Sequence, residues 1–410
     1  MTVAGQSVAT PTVLSSRSKR LRVIVVLGGL SALAPLSIDA YLPGLPEMTD
    51  SLQTTSPAVQ LSLTGFVVGM SLGQLVIGPL SDTKGRRGPL IVGMAVFTLV
   101  ALACAISPNI VLLDVLRFAQ GFAGAAGVVI ARAVVRDLFS GPAAARFFAS
   151  LMLVNGLAPI LAPIFGAQLL RWTSWRGVFV ALAVIGLLLM LGVALGLPET
   201  LEPERRRAGG LVSTLRTFWR LGHDPILIGY ALTTAFGFAA MFSYISGSSF
   251  VLQNVFGFSP QVYSYAFGAN ALGLVICAQI SGRLAHRLGA YRLLVTGIGS
   301  LLAGGLLMLV GQLAGAGVVG VLGGAFLVAT GMGFIFPNAM ALAMAAHGKD
   351  AGAASAMLGV LQFLVGGLAA PLVGVAGENT AMPMAAVMAA SAVTASLSWL
   401  VLVRRNSPTP

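Results

Sequence analysis

The sequence predicts an all-α, polytopic membrane protein with twelve transmembrane helices in two six-helix bundles and both termini on the cytoplasmic side. Three observations carry that reading. First, 57% of the 410 residues are hydrophobic and only 9% are charged, with a mean hydropathy of +0.93; a water-facing domain carries about 25% charged residues. Second, the apolar residues come in runs of about 20, the length that crosses a hydrocarbon core of roughly 30 Å. Third, a polar stretch, G-P-L-S-D-T-K-G-R-R from Gly78 to Arg87, separates two such runs. Gly282, Leu284, His286 and Gly289 repeat the spacing of Gly78, Leu80, Asp82 and Gly85. One loop echoed at the corresponding place in each half marks a duplicated helical bundle. Alternation of period two, the signature of a membrane barrel, is absent.

The elements follow in order. Arg17, Lys19, Arg20 and Arg22 precede the first apolar run, 22–43, in the manner of a signal peptide. Pro35 directly after Ala32-Leu33-Ala34 makes a poor cleavage site, so the run reads as an uncleaved span behind a disordered cytoplasmic tail, 1–20. The second and third spans, 59–80 and 89–107, flank the Gly78–Arg87 loop. Spans at 110–133, 145–170 and 175–197 complete a first bundle, 21–197. From 198 to 224 the chain turns polar, with Arg205, Arg206, Arg207, Arg216, Arg220 and the Gly209-Gly210 pair, and reads as a cytoplasmic linker. A second bundle, 225–403, holds runs at 225–250, 260–283, 290–313, 315–346, 351–377 and 380–403, and 404–410 forms a closing tail. The tenth run is long enough to include tilt or loop.

Charge fixes the orientation. With the N-terminus inside, only Arg117, Arg171 and Arg176 fall in an outer loop or deep in a span, and every other Lys and Arg lies on the cytoplasmic side. The formal charge of +12 would suggest nucleic acid in a soluble protein. Here the basic residues sit between apolar spans without aromatic interleaving, so anionic lipid headgroups are the expected partners and nucleic acid is not. Cys104 and Cys277 lie inside apolar runs of different halves and read as small core hydrophobes. No G-x-x-x-x-G-K-[ST] occurs, which excludes a nucleotide-driven pump within this chain. His223, His286 and His347 fall in or beside cytoplasmic loops, no H-E-x-x-H exists, and neither an enzyme, a metal site nor a cofactor is expected.

Four segments give the chain a resemblance to a known family: P-L-S-I-D-A-Y-L-P-G-L-P from Pro35 to Pro46, the Gly78–Arg87 loop, R-F-A-Q-G from Arg117 to Gly121, and A-P-I-L-A-P-I-F-G from Ala158 to Gly166. The chain resembles the major facilitator superfamily, specifically its bicyclomycin-resistance-type (Bcr/CflA) drug:proton antiporters, through both halves. The loop marks the superfamily and the Pro35–Pro46 segment marks the subfamily. The resemblance implies a monomeric transporter of the bacterial cytoplasmic membrane that exports small lipophilic drug-like molecules in exchange for protons. A proton-linked transporter of a small metabolite is the alternative; a non-transporting scaffold gains nothing from intramembrane charge.

Asp39 is the only carboxylate well inside an apolar span, 17 residues after Arg22 and so about 25 Å along a helix. A charge deep in a span costs ~2.5–3.5 kcal/mol on insertion scales and marks an ion or proton path by default; capping of the helix end near Pro43 is the plainer reading. Arg117, the only basic residue deep in a span, lies ~10 Å in from Ile110, at a similar depth. The two are expected to pair when Asp39 is deprotonated and to part when it is protonated, with Asp114 at i−3 as the local competitor for Arg117. The resemblance ties this arginine to proton transfer, and places on Asp82, Arg86 and Arg87 a cytoplasmic latch between the halves. Gly78 and Gly85 permit tight turns there; a plain basic membrane anchor explains the arginines but not Asp82 or the glycines. Pro159 and Pro163, flanked by Gly156 and Gly166, predict a hinge or an ordinary kink in the fifth span. Candidate substrate contacts are Tyr41, Gln120, Asn155, Phe236, Phe242 and Tyr244, with Phe238, Met241, Gln74, Asn270, Asn338 and Gln362 as further polar or aromatic residues in spans.

Overall fold

The computed structural model describes residues 17–139, 141–206, 211–347, 350–375 and 380–406, and every regular element among them is helical. Most of the expected 1–20 tail, and 407–410, lie outside the described residues; helix α1 already starts at Arg17. Helix α1 (Arg17–Asp39) leads through a short 3₁₀ turn, Leu42–Gly44, into α2 (Leu45–Ser51). Then come α3 (Ser56–Lys84), α4 (Arg87–Ala105), α5 (Ile110–Leu138), α6 (Gly141–Leu169) and α7 (Trp175–Gly196). The connecting segment carries α8 (Leu211–Leu221), and the second half holds α9 (Pro225–Phe250), α10 (Pro260–Leu288), α11 (Ala290–Leu313), α12 (Gly317–Ala346), α13 (Ala351–Val373) and α14 (Met382–Ser398). Among the described residues, 11 helical stretches are long and apolar enough to cross a membrane, and Leu153–Leu169 of α6 adds a shorter apolar helix.

Two helices were not expected. Helix α2 lies in what reads as an outer loop, started by Pro46 in its first turn with Glu47 beside it, residues favoured at a helix N-terminus. Helix α8 lies in the linker and turns Phe218 and Leu221 inward, leaving Arg216, Trp219 and Arg220 exposed. The tenth apolar run is one unbroken helix, α12, of 30 residues, about 45 Å long; it exceeds a bilayer core by protrusion or tilt rather than by a loop.

Small residues let the first-half helices close up. Helix α3 carries Gly65, Gly69 and Gly73 four apart, and all three face the backbone of α5 from Asp114 to Phe122. A Cβ at Gly69 would run into the Phe118 carbonyl, and one at Gly121 into that of Phe66. Interhelical contact through small residues replaces the hydrophobic drive that is missing in lipid, and it sets α5, with Arg117, against α1 and α3.

Helices from the two halves meet along two seams, α3 with α13 and α6 with α10. At the end of the molecule that carries Pro43, Ser249 Oγ donates to the Leu42 carbonyl and Gln253 Nε2 to that of Pro43, at 3.1 Å. Gln60 Nε2 donates to the Ser246 carbonyl at 3.2 Å, Thr64 Oγ1 to Gly367 at 2.6 Å, Gln261 Nε2 to Ala167 at 2.9 Å and Ser264 Oγ to Pro163 at 3.0 Å. A longer contact, Ser71 Oγ to the Val360 carbonyl at 3.4 Å, is the last on the way to the end that carries Gly85. Among the described residues no hydrogen bond or ion pair joins the halves beyond it. Among the described residues, the hydrogen bonds between the halves thus gather toward the Pro43 end, while at the Gly85 end the linker helix α8 packs on both α3 and α13.

Candidate functional site

Between the halves lies a cavity of about 210 Å³ lined from both sides, by α1, α3 and α6 on one and α9, α10, α12 and α13 on the other. Four of its lining residues are polar: Asp39, Asn155, Tyr244 and Asn270. Phe238, Phe242, Phe267 and Phe363 supply aromatic wall. Phe238 stacks on Phe242 at 5.5 Å and meets Phe363 edge-on at 5.3 Å. Asn155, Phe242 and Tyr244, expected from sequence to meet a substrate, line this space. Tyr41, Gln120 and Phe236 do not; the first two are taken into a separate cluster around Arg117.

Asp39 is the last residue of α1 and only 4% exposed, and its carboxyl lines the cavity without a hydrogen bond or ion pair from any described residue. Helix α1 contains Pro35 and stops at Asp39, after which the chain turns through Tyr41 and Pro43. The carbonyls of its last turn therefore lose their helical partners. Arg117 takes one of them: Nη2 donates to the Ser37 carbonyl at 2.8 Å, while Nη1 donates to Gln120 Oε1 at 2.6 Å. The guanidinium carbon lies 4.6 Å from the Tyr41 ring centre, 4.4 Å from Phe66 and 5.5 Å from Phe179. A cation at a helix C-terminus and over aromatic faces is stabilised by the dipole and by the ring quadrupoles, each contributing up to ~2 kcal/mol when desolvated.

The expected Asp39–Arg117 ion pair is not formed. Both groups engage the same turn of α1, but Arg117 holds its backbone and Tyr41 whereas Asp39 faces the cavity. Nor does Asp114 pair with Arg117; its Oδ1, Arg117 Nε and Gln120 Nε2 are buried without protein partners. The plainer sequence reading, that Asp39 caps a helix end in the wet interface, also fails, because the carboxyl is buried between the halves.

The Gly78–Arg87 loop forms a second polar centre at the other end. Gly85 has φ +94°, a conformation that favours glycine, and its Cα faces the Glu199 carboxylate. Arg86, 6% exposed, donates through Nε to Asp137 at 3.0 Å and through Nη1 to Ser81 at 2.9 Å and Asp82 at 2.5 Å. Its backbone N–H and that of Arg87 donate to Glu199 at 2.8 and 3.2 Å, and Arg87 Nη2 donates to the Ala194 carbonyl at 2.6 Å. Burial works against the Arg86 charge, but Asp137 and Asp82 outweigh it and hold the guanidinium above its ordinary range. For Glu199 burial pushes upward, yet the amides of Arg86, Leu201, Arg87 and Thr200 keep its carboxyl below the usual glutamate range. Asp137 and Glu199 were not singled out from sequence, although each ends a long apolar run. These bonds join residues of the first bundle and the start of the linker; among the described residues none from this loop reaches the second half.

The second copy of the loop keeps only the turn. Gly289 has φ +79°, His286 is exposed, and Ala290 stands where Arg86 stands in the first. On that side the linker is fastened instead by Arg220 to Asp350 at 2.7 Å and by Asp224 to His347 at 2.9 Å, while Asp224 also caps α9. Pro159 lines the cavity and Pro163 offers its carbonyl to Ser264 across the seam, so these two prolines of α6 face the second half.

A membrane-embedded helical bundle with a cavity between its halves is the frame of a solute transporter. The chain belongs to the Major Facilitator Superfamily, whose model matches residues 27–371. It is 40% identical to an uncharacterized MFS-type transporter, YdgK, of Bacillus subtilis, over 95% of this chain and 97% of that protein. It is 32% identical to a bicyclomycin resistance protein homolog of Haemophilus influenzae, over 93% and 96% of the two chains. Among solved structures, a nucleoside transporter, NupG, shares the fold with a TM-score of 0.75 at 12% identity, covering 95% of this chain and 100% of its own.

Proposed function

We propose that this protein exports small lipophilic drug-like molecules across the bacterial cytoplasmic membrane in exchange for protons. The observation that carries the proposal is Asp39: a buried carboxyl with no hydrogen-bond or ion-pair partner among the described residues, lining a cavity of about 210 Å³ between the halves. A group so placed can hold a proton or face a substrate, and its charge is felt by both walls of the cavity. The kinship to a bicyclomycin-resistance homolog supports a drug as the cargo.

In this reading twelve spans form two bundles, 21–197 and 225–403, joined by the linker 198–224, with the tails 1–20 and 404–410 and both termini cytoplasmic. The Pro43 end is then the outer face, closed, and the Gly85 end opens inward. The protein works as a monomer among anionic lipids, and the bundles rock by alternating access about the α6 prolines. Asp39 takes the proton; Arg117 fixes the turn of α1 that carries it. The Asp82–Arg86–Arg87 loop is released from the second half in this arrangement and engages it in the opposite one.

The test is proton release from purified protein in detergent on adding chloramphenicol. Asp39→Asn, nearly isosteric and breaking no hydrogen bond or ion pair among the described residues, is expected to abolish release while melting as wild type does. Release undiminished in Asp39→Asn overturns the assignment of the proton to this carboxyl.

A further inference from the structure

Asn270 and Tyr244 form a polar station in an otherwise oily part of the cavity. Asn270 Nδ2 lies 2.6 Å from the Tyr244 hydroxyl, both residues are at most 5% exposed, and both line the space. Tyr244 is fixed by stacking on Phe267, with ring centres 5.6 Å apart and planes 13° from parallel. Neither residue has a further hydrogen-bond partner among the described residues. With the amide nitrogen donating to the phenol oxygen, the phenol O–H remains to donate and Oδ1 remains to accept. Turning the amide over gives the reverse: the phenol donates to Oδ1, leaving both amide N–H groups to donate and the phenol oxygen to accept. Either way the pair offers two donors and one acceptor.

We propose that this pair is a specificity-determining station for an uncharged ligand edge with a carbonyl next to an N–H: a primary amide, a lactam or an imide. An extended secondary amide points its carbonyl and N–H in opposite directions and cannot satisfy both positions at once. The assignment rests on the reading of the cavity as the transport site. Its strength comes from burial: a dry site built to hydrogen-bond a group rejects the analogue that lacks it, because its own polar atoms are then left unpaired. Asn155 offers less, its Nδ2 being committed to the Leu151 carbonyl at 3.0 Å. The Phe238, Phe242 and Phe363 rings supply an aromatic wall for an apolar substituent.

The test uses 3-phenylglutarimide and its N-methyl derivative, which differ only at the imide nitrogen. Equilibrium dialysis against purified full-length protein is expected to show the N–H form bound about tenfold more tightly by wild type. Asn270→Leu should bring the two to within about twofold, with the N-methyl form held as by wild type, which also reports that the cavity is intact. Wild type holding both forms equally, or holding neither, overturns the station without recourse to a variant; so does a preference that survives Asn270→Leu. Proton release is read in the same preparation: an imide bound with the expected preference but releasing no proton leaves the station standing and removes the antiport reading.

Discussion

Arg117 Nη2 meets the Ser37 carbonyl at 2.8 Å, so the one arginine deep in a first-half span ends helix α1 rather than neutralising an acid. The arrangement makes a definite demand on side-chain shape. Lysine keeps the charge but lacks the planar fork that reaches Ser37 and Gln120 together and stacks between Tyr41 and Phe66. Arg117→Lys is expected to lower stability by about 2 kcal/mol, the loss of one charge-assisted hydrogen bond with its aromatic contacts. Thermal unfolding in detergent measures it; a lysine variant as stable as wild type contradicts the capping role.

At the Gly85 end, Asp137 accepts from both Arg86 Nε and Thr200 Oγ1. Asp137→Ala leaves the buried Arg86 with Asp82 and Ser81 alone and is expected to cost about 2 kcal/mol. Asp82→Ala, removing a half-exposed partner, should cost less. Equal losses in the two variants would show that Asp137 is not the main anchor.

Gly85 and Gly289 share a positive φ but not their surroundings. A Cβ at Gly85 falls within 2.5 Å of Glu199 Oε2, whereas at Gly289 it meets open space. Each alanine variant bears a backbone cost of about 1–3 kcal/mol. Gly85→Ala should lose more than Gly289→Ala, because it also displaces the carboxylate that accepts from Arg86 and Arg87. Comparing the two melting temperatures decides the point.

Glu199 gives the Gly85 end a pH dependence of known sign. Its carboxyl lies below the ordinary glutamate range in the folded protein, because four backbone amides outweigh burial. An acid lowered in this way contributes stability above its unfolded pKa, about 4.3, and loses that contribution as pH falls through the lower folded value. The stability gap between wild type and Glu199→Gln should be full at pH 7 and shrink below about pH 4. A gap that widens on acidification contradicts the assignment.

Much of this was legible in the sequence, and the rest failed for identifiable reasons. Apolar run length gave the helices, and a lone acid in an apolar run gave Asp39 as a buried group. That Asp39 and Arg117 share a depth was readable from residue counts; that they do not pair was not, since depth along two helices says nothing of rotation about them. The turn at Gly85 followed from its glycines, but its partners Asp137 and Glu199 arrive from 51 and 113 residues away from Arg86. Helix α8 was hidden because its arginines and the Gly209-Gly210 pair before it mark polar linker. Tyr41 and Gln120 are polar or aromatic residues beside apolar runs, but both are taken up by Arg117, which sequence distance does not reveal for Tyr41.

The fastening at the Pro43 end has a consequence for how such a protein changes over generations. Hydroxyl and amide groups reach across to main-chain oxygens, which every residue possesses, so no particular side chain is needed on the receiving wall. Replacement of a residue there leaves the acceptor in place, and one half can drift without a matching change in the other. Being uncharged, these fasteners also ignore ionic strength, and each is worth only about 1 kcal/mol, so they can be undone one after another instead of all at once.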